Sequence, residues 1–369
     1  MLRRSLGRPG QLLASCLLAS LLVGCDAFEY YGPLPNLRHA LTVNLNELGK
    51  LQSLQIRKTT LSSEASRELR LVNTLHSVEL EDCQIADGRV LLESLGEITR
   101  LESLTLRRCN LTDDDLVGLA AAENLRELKL MSTNITGNGL AALSKLPLRS
   151  LVLHSSEATA ETLSCLSEFE SLEEISLSTP RLAVNELPDL GKLQKLRSLA
   201  ILNGQFSANK DEALHFLRNV PTLREVRLSA DTVTDSTMHG LGQLSTLERI
   251  EISRNGITDQ GIDALQGLSQ LKTLRIWGAE RLTAACLPSL LKHQQLQELS
   301  LSGAPIHHSD ARVLDALPQL AERDVGMSRW EIASSTRPPR SNASYRDHAG
   351  LGRQQAGLGR TFPGEQQVN

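Results

Sequence analysis

Few residues of this chain stand at spacings that could do chemistry. His307, His308, Ser309 and Asp310 form its one histidine cluster. A metal site there would need further ligands in a defined geometry, so the four residues read instead as the exposed start of a helix. The sequence has no phosphate-binding glycine loop, dinucleotide fingerprint or paired metal Cys motif. It also lacks the strained Gly-x-Ser-x-Gly turn that would present a hydrolase nucleophile. No cofactor and no metal are therefore expected. What remains is the chemistry of recognition. Trp277 lies near Arg227, Arg249, Arg254 and Arg275, and Trp and Arg are the residue types most enriched in binding hot spots.

The six cysteines are too few and too scattered for a disulfide framework. Cys16 and Cys25 lie near the amino terminus. Cys83, Cys109, Cys165 and Cys286 lie in the body.

The elements that must position these residues are written as a repeat. Twelve copies of one phrase begin at Leu51, Leu75, Leu101, Leu125, Leu148, Leu172, Leu196, Leu223, Leu247, Leu271, Leu296 and Leu320. They read leucine, two variable residues, an aliphatic residue, one variable residue, an aliphatic residue, with Arg323 in place of the first aliphatic residue in the last copy, and the steps between them run from 23 to 27 residues. Such self-similarity fixes the architecture before any local assignment is made, because stacked units share one continuous core. Aromatic residues are only 3% of the chain, so that core must be built from Leu, Ile, Val and Ala.

The copy at Leu101 shows the unit. Leu104 and Leu106 alternate with Ser103 and Thr105, the period of a strand with one buried face. The chain turns inward again at Leu111. Thr112 and the acids after it then suit a helix start, where a hydroxyl caps free N–H groups and carboxylates favour the positive end of the helix dipole. Val233-Thr234-Asp235 and Ile257-Thr258-Asp259 repeat the device.

This pattern resembles the leucine-rich-repeat family over about residues 37–325, in its short bacterial type, with Ile257 to Ile262 the cleanest copy. The resemblance implies an α/β solenoid of about twelve repeats, curved as a horseshoe. Parallel strands line its concave face and short helices its convex face. In the family the ninth position is commonly Asn or Cys. Here it runs Thr59, Cys83, Cys109, Thr133, Ser156, Pro180, Gly204, Asp231, Asn255, Ala279 and Ala304. Local irregularity is therefore expected in the middle and at the end. Cys83 and Cys109 share this position in adjacent repeats. They read as two buried thiols, although neighbouring strands about 4.8 Å apart leave a disulfide within reach.

The amino terminus reads as an address. Arg3, Arg4 and Arg8 precede an apolar run from Leu12 to Gly24. That run is shorter than the ~20 residues of a membrane-spanning helix, and with its basic start it reads as a secretory signal. It ends Leu22-Val23-Gly24-Cys25, which resembles the lipobox of bacterial lipoproteins. The resemblance implies cleavage before Cys25 and acylation of Cys25, hence an extracytoplasmic, membrane-anchored protein. The expected organisation is a signal peptide over 1–24, a lipidated tether over 25–36, a repeat domain with end caps over 37–328 and a disordered basic tail over 329–369. Leu41, Val43 and Leu45 alternate as a strand in the first cap, and Arg323 replaces an aliphatic residue in the last.

Formal charge is -4 overall. The first 24 residues carry three Arg, and from Arg329 onward six Arg face Glu331, Asp347 and Glu365. The body between is therefore strongly acidic. Phosphate binding needs clustered cations, so nucleic acid is not expected as a partner.

In a solenoid of this kind the variable strand residues point out from the concave sheet, so that face can be laid out from sequence. At its start Arg57, Glu81 and Arg107 alternate in sign, as do Lys58, Asp82 and Arg108, and they read as a ladder that satisfies itself. In the middle Met131, Val152, Ala200 and Leu202 give either an exposed apolar contact site or scattered neutral residues. Toward the end the Trp277 and arginine cluster either anchors a partner or an anionic glycan, or packs an indole over an Arg side chain. Candidate binding residues are thus Trp277, Arg275, Arg254, Arg249, Arg227, Met131, Val152 and Leu202. The first functional reading is a non-catalytic scaffold binding a protein or glycan on the concave face. The alternative is a stoichiometric inhibitor of an envelope enzyme. A cell-wall polymer hydrolase comes last, for want of a catalytic constellation.

Overall fold

The computed structural model describes residues 41–45, 51–155, 157–209 and 214–325. Cys25 and the expected signal peptide, tether and tail lie outside the described residues, as do Ser156 and residues 210–213.

Each leucine phrase forms a strand. In chain order the strands are β1 (Leu41–Leu45), β2 (Leu51–Arg57), β3 (Thr60–Leu61), β4 (Ser77–Glu81), β5 (Gln84–Ile85), β6 (Ser103–Arg107), β7 (Glu127–Met131) and β8 (Ser150–His154). They continue with β9 (Glu174–Ser178), β10 (Ser198–Leu202), β11 (Glu225–Val233), β12 (Arg249–Asn255), β13 (Thr273–Trp277), β14 (Glu298–Ser302) and β15 (Glu322–Val325). Thirteen of them make one sheet in the order β1-β2-β4-β6 and then β7 to β15 consecutively. All its pairings are parallel except β1 with β2. β1 is the strand expected at Leu41, Val43 and Leu45. The two short strands β3 and β5 pair with each other.

The register explains the repeat. Leu104 stands beside Leu128, then Leu151, then Ile175, and the sixth-position residues Leu106, Leu130, Leu153 and Leu177 do likewise. All eight are buried. A leucine column in each repeat thus packs on the columns of its neighbours, and one core runs the length of the stack. The phenylalanines Phe169, Phe206 and Phe216 enter it, but aliphatic residues form most of it.

After the strand the chain must reverse within a few residues. At the eighth position it does so by a left-handed residue: Lys58, Asp82, Arg108, Ser132, Asn203, Arg254, Gly278 and Gly303 all have positive φ. Among the described residues, those at the eighth position without positive φ are Ser155, Thr179 and Ala230, and these three are buried. Irregularity therefore falls in the middle of the stack, where β11 also slips register between Ser229 and Val233. The expected irregularity at the end is not found, because Gly278 and Gly303 keep the left-handed turn despite Ala at the ninth position.

The return path is short and helical. It includes α-helices at Ser63–Leu69, Gly88–Gly96, Asp235–Gly242 and Asp259–Asp263, and 3-10 turns at Asp113–Ala121 and Asn138–Leu143. In the last strand Arg323 occupies an inward aliphatic position. Its guanidinium reaches the Ala311 carbonyl at 3.0 Å and Asp315 at 2.9 Å, so the final core layer ends on a paired charge. Among the described residues no helix is long and apolar enough to cross a membrane.

Candidate functional site

Strand alternation decides which side chains can meet a partner. The fourth and sixth positions point into the core, so the third, fifth and seventh positions form three rows on the opposite face.

At the amino-terminal end the rows are self-paired, as their alternating signs suggest. Glu81 bonds Arg57 at 2.9 Å and Arg108 at 2.8 Å, and lies 3.8 Å from Arg107. Arg108 also pairs with Asp82. That guanidinium holds the Asp82 carboxyl below its ordinary pKa.

Cys83 and Cys109 are buried free thiols beneath this end. The Cys109 thiol donates to the Leu80 and Arg107 carbonyls, and Cys83 to those of Ile56 and Glu81. They do for the ninth-position ladder what a polar side chain would do. The hydrogen bond with Cys83, together with burial, pushes the Cys109 thiol above its usual range.

The middle zone is not the continuous apolar patch that its composition suggests. Met131 and Val152 sit on adjacent strands, and Ala200 and Leu202 sit together on β10. Between them β9 presents Ser176 and Ser178 in register. All four apolar residues are half-buried. His154, beside Met131, keeps its Nε2 without a hydrogen-bond partner. Burial, aided by the Arg107 charge, lowers its pKa.

The arginines of the last zone are brought together but are not free cations. Arg227 pairs with Glu225 at 2.6 Å and Glu251 at 3.2 Å. Arg249 lies 3.4 Å from Glu251, and Arg275 lies 3.3 Å from Glu251 and 2.8 Å from Glu298. Glu251, only 14% exposed, is shared by all three. Glu225 on β11, Glu251 on β12 and Glu298 on β14, at third and fifth positions, convert a basic cluster into a balanced lattice, which leaves little to attract an anionic glycan. Arg254 stands apart from this lattice and reaches back across β11 to Asn203 at 2.7 Å and Asp231 at 3.0 Å.

Trp277 is different. It ends β13 with 41% of its surface exposed, one of four large hydrophobic side chains so placed among the described residues. Ser302 stands beside it in register. Gly278 follows it in left-handed conformation, and a Cβ there would meet nothing within 4 Å. Asn255 ties the strand end down by donating to the Trp277 carbonyl at 3.0 Å. Among the described residues no group of His, Cys, Asp and Glu could hold a metal ion.

Two segments, residues 121–144 and 243–265, match a family model described as Leucine Rich repeat. The first carries β7 and the turn after it, the second β12 and the helix Asp259–Asp263. The fold is an α/β solenoid of the leucine-rich-repeat type. Its repeats are similar to an internalin from Listeria monocytogenes (22% identity, 77% of this chain and 84% of that chain, TM-score 0.49). They are also similar to an internalin C2 from the same organism (27% identity, 55% of this chain and 80% of that chain, TM-score 0.43). A plant peptide hormone receptor in complex with RGF2 is more distant (14% identity, 77% and 59% covered, TM-score 0.40). A comparison with curated proteins finds no match.

Sequence reasoning missed one set of residues on the opposite side. Asp113 accepts hydrogen bonds from the next repeat, from Thr136 N–H (3.0 Å) and hydroxyl (2.7 Å) and from Gly137 and Gly139 N–H (3.1 and 2.9 Å). Asp235 does the same for Thr258, and Asp259 for Thr283. The signal was present: the Thr recurs in register with the Asp of the preceding unit.

Proposed function

We propose that the chain is a non-catalytic, lipid-anchored, extracytoplasmic scaffold that recognises a partner through the concave face of its repeat array. The observation that carries this reading is Trp277. An indole left 41% exposed on a sheet whose other side is a continuous core is an anchor without a socket, and Trp is prominent among residues that supply binding energy. The mechanism is recognition. Strands locked in register present side chains at fixed spacing, so little conformational freedom remains to be lost on binding.

Anchoring rests on Leu22-Val23-Gly24-Cys25. Each buried methylene of an acyl chain contributes ~0.8 kcal/mol, and two or more chains hold stably. The segment over 25–36 serves as tether, and the arrayed face looks into the extracytoplasmic space. The acidic body makes nucleic acid an unfavourable partner.

The test uses the full chain as bait in an envelope extract, with Trp277→Ala in parallel. A partner captured by the first and lost with the second supports the concave site. Capture identical with both baits removes Trp277 from it. Labelled palmitate incorporated by the chain but not by Cys25→Ser would establish the anchor, and equal labelling would refute it.

A further inference from the structure

The seventh-position row of the outer face carries no acidic or basic Lys/Arg side chain from Met131 on β7 to Ser302 on β14. Burial favours the neutral form of its one histidine, His154. Alongside it, the third and fifth rows of β11 to β14 hold the balanced lattice centred on Glu251. A ligand in this row is therefore selected by shape and apolar contact, not by net charge.

The row has a period. Its large apolar side chains are Met131 on β7, Leu202 on β10 and Trp277 on β13, one on every third strand. His154 and Ser178 separate the first two, and Ser229 and Ser253 the last two. Neighbouring strands lie about 4.8 Å apart, so successive landmarks are spaced by about 14 Å along the row. An extended polypeptide advances ~3.4 Å per residue and shows alternate side chains on one face, so residues i, i+4 and i+8 share a face at about 14 Å intervals.

Resting on the concave-face reading above, we propose that this row docks an extended polypeptide segment of a partner protein. The segment lies across the strands, is nine or more residues long, and sets apolar side chains at every fourth position on Met131, Leu202 and Trp277. The serines between leave room for its backbone. Their hydroxyls both donate and accept, and Ser253 already donates to Ser229 at 2.8 Å, which fixes the orientation of the pair.

The probe is a display library of random 14-residue peptides selected on the full chain, followed by synthesis of one enriched peptide and of a reshuffled form with the same composition. Enriched sequences should carry apolar residues at i, i+4 and i+8. The reshuffled peptide should bind about tenfold more weakly or worse. Leu202→Asp should abolish binding. Ser253→Arg blocks the row without touching the core and should do the same, with thermal melting of both variants showing that they fold. No enrichment, enrichment without this spacing, or peptides that bind Leu202→Asp and Ser253→Arg as well as the native chain would overturn the proposal. If that happens while Trp277→Ala still loses a captured partner, the scaffold reading stands and only the extended segment falls.

Discussion

Asp235 and Thr258, in consecutive repeats, are joined by two hydrogen bonds: the Asp235 carboxylate accepts the Thr258 N–H at 2.8 Å and its hydroxyl at 2.7 Å. Thr258 oxygen in turn accepts from Gln260 N–H at 3.4 Å, at the start of its own helix. The next residue, Asp259, repeats the pattern forward to Thr283. Each Thr-Asp pair therefore bonds backward through Thr and forward through Asp. A solenoid is held by such interfaces between neighbours. Hydrogen bonds to a charged group contribute about 1.5–3 kcal/mol, so Asp235→Ala should cost about 2 kcal/mol in denaturant unfolding. The double variant Asp235→Ala/Thr258→Ala should cost less than the two singles added. Strict additivity would mean that the two side chains do not act together.

Asp113 makes the same clamp with a titratable consequence. Burial alone would raise its pKa, but the N–H of Gly139, the N–H and hydroxyl of Thr136 and the N–H of Gly137 outweigh that and hold it below the ordinary value. A carboxyl depressed in the folded state stabilises above its unfolded pKa, near 3.8, and loses that contribution as pH falls through the folded pKa. Asp113→Asn should therefore be less stable than the native chain at pH 7. The difference should shrink below about pH 4. Thermal melts at pH 7 and pH 3 check this, and a gap that stays constant between them would rule the clamp out as its source.

How far the sequence could be read follows from what kind of signal each feature leaves. Strand positions, core columns and outward rows repeat twelve times and depend only on residue type, so they were legible. The self-paired ladder of Arg57, Glu81 and Arg107 was legible because its signs alternate within one row. The neutral lattice around Glu251 was not, because its partners come from two rows and must be seen side by side. The clamp of Asp235 on Thr258 was hidden by a better-known local role for the same residues, the helix cap. The left-handed eighth position could not be read from residue type, since Lys58, Arg108, Ser132 and Arg254 are not residues that prefer positive φ. The stacking imposes it.

His293 stands where other repeats carry Leu193, Leu244 and Leu268, and it is fully buried. Its Nδ1 lies 3.0 Å from the Leu268 carbonyl, so Nδ1 carries the proton and Nε2 is left as an acceptor without a partner. Burial lowers its pKa, against a smaller opposing effect of the Leu268 carbonyl. A His that resists charging when folded keeps its full contribution above the unfolded pKa of 6.5 and destabilises the fold as pH falls below that value. His293→Leu should thus raise the melting temperature at pH 8 by relieving the unmet acceptor, and raise it further at pH 5. A gain that does not grow on acidification would show that His293 is solvated when charged.

The lattice on the last strands yields the sharpest contrast between the charges read singly and the charges seen together. Glu251 serves Arg227, Arg249 and Arg275 at once, whereas each arginine has a second carboxylate: Glu225 for Arg227, and Glu298 for Arg249 and Arg275. The arginine side chains are 32% to 53% exposed, so solvent screens each pair and no single one is worth more than about 1 kcal/mol. Glu251→Gln touches three pairs together and should cost more than Arg227→Met, Arg249→Met or Arg275→Met alone. It also leaves one uncompensated positive charge in the lattice. Retention on a heparin column should therefore be weak for the native chain and stronger for Glu251→Gln, with the increase lost in high salt. If the native chain is already strongly retained and Glu251→Gln changes nothing, the arginines are available to anionic ligands after all, and the balance seen between the rows is not what governs this face.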